Sequence, residues 1–134
     1  IIKENGEFKV KNNTDSHINF LAVDECTYNS NDSKRSDCII FNDNIFCFIE
    51  LKICSLNNAK ANRKKAEKQL ESSIKTFTSK LSKLNKLEAY VCLNCRDKED
   101  NLTRITKSSS PEKILYFENE LNTSLYYKCD KEFN

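Results

Sequence analysis

The chain of 134 residues carries 22 Lys or Arg against 20 Asp or Glu, a formal net charge of +2, so its overall balance singles out no strongly acidic or basic partner. A hydrophobic share of 38% and a charged share of 31% still fill one core, and the length suits a single domain spanning 1–134. No stretch approaches the roughly 18–20 apolar residues of a membrane span. No signal peptide is visible, although the chain starts at Ile1 without Met, and seven Cys without a secretory signal read as reduced thiols in a cytoplasmic protein.

In chain order, residues 1–16 are mostly polar. Glu7 to Lys11 alternates as a short strand does, and Asn12 to Ser16 reads as a turn. His17 to Tyr28 carries Ile18, Phe20, Leu21, Ala22 and Val23 and suits either a strand ending at Asp24-Glu25 or a short helix. His17 itself reads as a surface or capping residue, with no Cys or Ser placed to make a catalytic triad with it. Asn29 to Ser36 is a polar loop.

Asp37 to Lys52 is the most apolar part of the chain, opened by an acid and closed by Glu50-Leu51-Lys52. A two-residue turn at Asp43-Asn44, residues that tolerate positive φ, makes this stretch a hairpin. Phe41 then faces Phe46, Ile39 faces Phe48, and Asp37 faces Glu50. Because side chains alternate along a strand, Asp37, Ile39, Phe41, Phe46, Phe48, Glu50 and Lys52 share one face. Cys38, Ile40, Cys47, Ile49 and Leu51 share the other. Both faces are apolar, which predicts a central mixed sheet flanked by helices on two sides.

Ser55 to about Asn85 is the best helical segment, with Ala66, Leu70, Ile74, Phe77, Leu81 and Leu84 on one stripe and Ser55, Asn57 or Asn58 as cap. Its outer positions are basic: between Lys52 and Glu88 there are ten Lys or Arg against three Glu. Leu87 to Cys95 is a further, central strand reached by a crossover connection. Arg96 to Asn101 is a charged loop, and Leu102 to Lys107 is a marginal strand. Ser110-Pro111 starts a short helix with Ile114, Phe117 and Leu121 on one face. Leu125 to Lys128 forms a last strand, after which the tail frays.

The register places the Asp37 and Glu50 carboxylates about 5 Å apart at Cβ. Two such charges repel unless a cation lies between them. Mg²⁺ prefers oxygen ligands and is held by one or two carboxylates with water and phosphate. Lys52, on the same face, is placed to orient or deprotonate an attacking water and to stabilise charge on a phosphate. Metal, lysine and water are the requirements of phosphodiester hydrolysis.

Asp37, then Glu50-Leu51-Lys52 at the end of a hydrophobic hairpin, then a long helix, resembles the PD-(D/E)xK nuclease superfamily of restriction endonucleases and Holliday-junction resolvases. The resemblance covers about residues 18–95. It implies an α/β, restriction-endonuclease-like core of helix, three-stranded meander, helix and strand. It assigns Asp37 and Glu50 as ligands of Mg²⁺ or Mn²⁺, with the Leu51 carbonyl completing the shell, and Lys52 as the catalytic lysine. Glu25 (or its neighbour Asp24) is the candidate upstream acid and Gln69 the candidate helix glutamine. The residue before Asp37 is Ser36, where the family motif has Pro.

The expected activity is therefore metal-dependent cleavage of DNA by a homodimer or beside a partner subunit. Lys60, Arg63, Lys64, Lys65 and Lys68 would grip the phosphate backbone; the plainer reading makes them the solvated face of an amphipathic helix, with Glu67 and Glu71 as partners. Two rival readings remain. One is a nucleic-acid-binding or protein-interaction module that keeps the fold without the chemistry. The other is a zinc-stabilised module on Cys92 and Cys95, half a zinc site by spacing, against which both read as buried strand cysteines.

Overall fold

The computed structural model describes residues 2–3, 6–22, 38–79, 85–106 and 110–134. Its elements are β1 (Ile2–Lys3), β2 (Gly6–Glu7), β3 (Lys9–Asn12), β4 (Asn19–Ala22), β5 (Cys38–Phe41), β6 (Ile45–Ser55), α1 (Ala59–Thr78), β7 (Lys86–Arg96), β8 (Leu102–Ile105), α2 (Pro111–Glu120), β9 (Thr123–Tyr126) and β10 (Asp130–Phe133). The fold is α/β. A six-stranded mixed sheet runs β4-β5-β6-β7-β8, with β9 also on β7. β7 is central: β6 lies parallel to it along its full length, and its other edge is shared by β9 at Leu87–Tyr90 and β8 at Leu93–Arg96.

The Ile- and Phe-rich runs form β5 and β6 because β-branched and aromatic side chains suit a pleated surface covered on both sides. Their register is the expected one: Phe41 pairs with Phe46, Ile39 with Phe48 and Cys38 with Ile49. The Asn42 N–H donates to the Ile45 carbonyl at 3.1 Å. The turn is nevertheless not the mirror-image type expected. Positive φ occurs only at Asp100 and Asn122 among the described non-glycine residues, so neither Asp43 nor Asn44 adopts it. Instead the Asn42 Oδ1 accepts from the N–H groups of Asn44 and Ile45, at 2.9 and 2.8 Å. This side-chain bridge closes the loop without left-handed backbone.

The two faces of the sheet have different covers. On one, Ile39, Phe48, Ala89, Val91 and Leu93 pack against Ala66, Leu70 and Ile74 of α1 and Phe117 of α2. Each large side chain so buried contributes roughly 1.5–3 kcal/mol. On the other, Cys38, Ile40, Cys47, Ile49 and Leu51 meet Phe8, Cys129 and Phe133. Among the described residues, both helices thus lie on one face, and the expected second helical layer is a pair of strands. β3 and β10 run parallel, with Lys9 opposite Asp130 and Asn12 opposite Phe133. The tail expected to fray is therefore ordered structure, with Phe133 1% exposed.

The helix stripe holds at Ala66, Leu70 and Ile74, which are buried; Leu81 and Leu84 lie outside the described residues. Ser55 ends β6, and α1 starts after a single 3₁₀ turn, Leu56–Asn58. Asn58 occupies the cap position without a capping side-chain bond, so the expected cap is absent. Ser110 does cap α2, its Oγ accepting from the Lys113 N–H at 3.3 Å. β4 settles Asn19 to Ala22 as strand, while Val23 to Tyr28 and the Asn29 to Ser36 loop lie outside the described residues.

Candidate functional site

Glu50 lies in the middle of β6 on the helix-covered face and is 2% exposed. It occupies that face because alternation from the buried Phe48 puts it there, two residues along. Lys52, the next residue on the same face, brings its Nζ to 3.4 Å from Glu50 Oε1. Leu51 points the opposite way, into the cluster with Cys38 and Tyr90. The register described for β5 and β6 ends at Cys38 and Ile49, one step short of the expected Asp37–Glu50 pair. Asp37, Asp24 and Glu25 lie outside the described residues.

Helix α1 passes above this part of β6. The Phe77 ring meets the Phe48 ring at 6.2 Å, and the helix begins just beyond the strand's end, so it runs back along β6 over Lys52 and Glu50. Gln69 is half-buried. It lies about 200° around the helix from Glu67, whose carboxylate reaches Tyr127 beyond β7. Gln69 thus sits on the flank away from β9. Arg63 falls on the inward stripe with Ala66, Leu70 and Ile74 and is half-buried. Lys60, Lys64, Lys65 and Lys68 are exposed on the outer side of α1, away from Glu50. Among the described residues none of these four lysines forms an ion pair.

Glu67, expected as a solvated partner of those lysines, is instead 1% exposed and accepts a hydrogen bond from the Tyr127 hydroxyl. Its helical phase beside Ala66 was the available signal. Glu71 accepts from Tyr116 at 2.5 Å and pairs with Lys75 at 2.9 Å. Burial pushes the Glu71 carboxyl up, but these two donors outweigh it and hold the group below its ordinary value. The plainer reading of the helix as a self-neutralised surface therefore loses one of its two acids.

The opposite face of the sheet holds another buried carboxylate that sequence reasoning passed over. Glu88, 2% exposed, accepts from Tyr90 Oη at 2.6 Å and from Cys47 Sγ at 3.6 Å. It pairs with Lys131 at 2.8 Å and Lys86 at 3.4 Å. Burial raises its pKa, but the bonds from Lys131 and Tyr90, the Lys131 charge and the bond from Lys86 outweigh it and hold the carboxyl below its ordinary value. Burial, followed by the Glu88 charge, pushes the Cys47 thiol far up. The signal was an acid within the otherwise apolar strand of Leu87 to Cys95.

The cysteines correct two expectations. Cys92 is bridged to Cys129, with Cα atoms 4.7 Å apart, so the all-thiol expectation fails at these two positions. Cys92 belongs to one core cluster and Cys95 to the other. Residues three apart on a strand point to opposite faces, so this pair cannot converge on one zinc ion. Both are buried strand cysteines, as the plainer reading had it. Cys95 meets Cys54 across the β6–β7 pair, Sγ to Sγ 3.1 Å. Burial, then the hydrogen bond to Cys95, pushes the Cys54 thiol up to about 12.

A cavity of about 530 Å³ opens beyond the carboxyl ends of β6 and β7, between Ser55–Asn57 and Arg96–Glu99. This is where ligands bind in open α/β sheets. Among the described residues, no group of three or more His, Cys, Asp or Glu side chains converges as a metal site, and no helix is long and apolar enough to cross a membrane. The chain matches no known family model, no characterised protein and no solved structure.

Proposed function

We propose that the chain is a metal-dependent nuclease acting on DNA, with its chemistry at Glu50 and Lys52. The observation that carries this reading is the placement of both charged groups on one face of a central strand, Glu50 buried and Lys52 3.4 Å away. The meander β4-β5-β6, the helix α1 and the parallel strand β7 follow the later part of the element order that the PD-(D/E)xK resemblance implies, whereas among the described residues strands and not a helix precede β4. A carboxylate and a backbone carbonyl are the oxygen donors that Mg²⁺ or Mn²⁺ takes. Glu50, the Leu51 carbonyl and Asp37 would hold the ion, which when bound polarises a phosphoryl oxygen and acidifies water. Lys52 orients the attacking water and stabilises negative charge on the phosphate. Gln69 flanks the same layer, and Glu25 remains the proposed upstream acid. The lysines on the outer side of α1 hold backbone phosphates of flanking DNA, at a distance from the cleaved one. Cutting both strands calls for a homodimer or a partner subunit.

The Glu50–Lys52 ion pair also favours a second reading, because a lysine that neutralises the acid gives a DNA-binding module without chemistry. Plasmid cleavage with Mg²⁺ separates the two. Lys52→Ala should slow cleavage about 10²–10⁴-fold, and Glu50→Ala should abolish it. Cleavage undiminished in both variants overturns the nuclease reading. No cleavage by the wild type, with salt-sensitive DNA binding that weakens when Lys60, Lys64, Lys65 and Lys68 become Gln, establishes the second.

A further inference from the structure

Two thiols on the face that carries Glu50 and Lys52 take no part in that chemistry. Cys54 and Cys95 are directly opposed in the β6–β7 register, and their Sγ atoms lie 3.1 Å apart. Residues opposed on neighbouring strands have Cα atoms about 4.8 Å apart, inside the range of about 4.4–6.8 Å that a disulfide spans. The backbone therefore already stands where a bridge would need it. The two thiols also differ in access. Cys54 is partly exposed and Cys95 is buried, and the residues that follow them, Ser55 and Arg96, form part of the cavity wall. A small reagent can reach Cys54 at its exposed part, and Cys95 lies within bonding distance behind it. Cys38 and Cys47, the other described cysteines outside the Cys92–Cys129 disulfide, are both buried.

We propose that Cys54 and Cys95 form a thiol–disulfide exchange site oxidised by a small-molecule disulfide of the glutathione class. The Cys54 sulfur, losing its proton, attacks one sulfur of the reagent, faster as pH rises because burial raises the Cys54 thiol; a bond from Cys54 to that half forms, and the other half leaves as a thiolate and takes up a proton. The Cys95 sulfur, losing its proton, then attacks Cys54, and the second half leaves as a thiol. Two protein thiols are oxidised to one disulfide and one reagent disulfide is reduced to two thiols. The bridge staples β6 to β7 between Lys52 and the cavity. It differs in kind from the Cys92–Cys129 bridge, which ties the C-terminal arm to the opposite face.

The proposal stands apart from the nuclease reading and is tested without a cleavage assay. The full chain is incubated with oxidised glutathione, remaining thiols are alkylated, and peptides are mapped by mass. The wild type should yield one cross-link joining Cys54 to Cys95 and retain no glutathione, and dithiothreitol should restore both thiols. Cys95→Ser and Cys95→Ala should keep glutathione on Cys54, and Cys54→Ser should take none up at Cys95. A wild type that retains glutathione on Cys54, or leaves both thiols alkylated, overturns the proposal.

Discussion

Two carboxylates are buried on opposite faces of one sheet, and they are held in different ways. Glu88 is gripped from three strands: Cys47 on β6, Lys86 and Tyr90 on its own β7, and Lys131 on β10. Its ion pairs join the C-terminal arm to the sheet, beside the Cys92–Cys129 bridge. The Glu50–Lys52 pair lies within a single strand, so that contact links no two elements. A buried charge is costly to desolvate, and at Glu88 these bonds and ion pairs offset the cost. Glu88 is a fastening for the fold. Under the proposed function Glu50 serves a site, where stability is commonly given up for function.

The largest test of this contrast removes the Glu88 carboxylate. Glu88→Ala leaves Lys131 buried beside an empty partner position and should cost about 3–5 kcal/mol, measured by urea unfolding; a loss below about 1 kcal/mol would erase the distinction. The Glu88 pKa is depressed in the fold, so its contribution is present above the unfolded carboxylate value of about 4.3. It is lost as pH falls through the lower folded value. The urea midpoint of the wild type should thus drop on acidification below about pH 5, and Glu88→Gln should flatten that acid limb.

A slightly smaller effect is expected from the bridge on the same face. Cys92 and Cys129 are separated by 37 residues, and opening a loop of that length should cost about 3–4 kcal/mol. Cys129→Ser should therefore lower the thermal midpoint, and dithiothreitol should lower that of the wild type but not that of the variant. An unchanged midpoint in Cys129→Ser would show that the arm is held by Lys131 and Phe133 alone.

The smallest effect belongs to the helix-covered face. Glu50→Gln keeps the shape of the side chain and removes a buried charge, so unfolding free energy should stay within about 1 kcal/mol of the wild type or rise. A loss as large as that of Glu88→Ala would make Glu50 a second structural anchor and remove the contrast.

Much of the central hairpin was legible because its physics is local. The run from Cys38 to Lys52 alternates two apolar sets around a short loop, and a two-residue loop allows only one register. That register is the one observed from Cys38–Ile49 to Phe41–Phe46, and strand alternation puts Glu50 and Lys52 on one face. The helical stripe of Ala66, Leu70 and Ile74 was legible for the same reason, as was the Ser110 cap. Glu67 was misread because a charged residue beside a basic stripe looks solvated until Tyr127, sixty positions away in sequence, supplies a buried donor.

By itself, the sequence determined the α/β class, the hairpin register, the helix and the shared face of Glu50 and Lys52. Each follows from a period of two or of about 3.6 residues within one segment. The tertiary structure alone decided what covers the far face, which cysteines meet, and which acids are buried. Those depend on Cys129, Lys131 and Phe133 closing over strands that lie far back in the chain, and no local period records such a meeting.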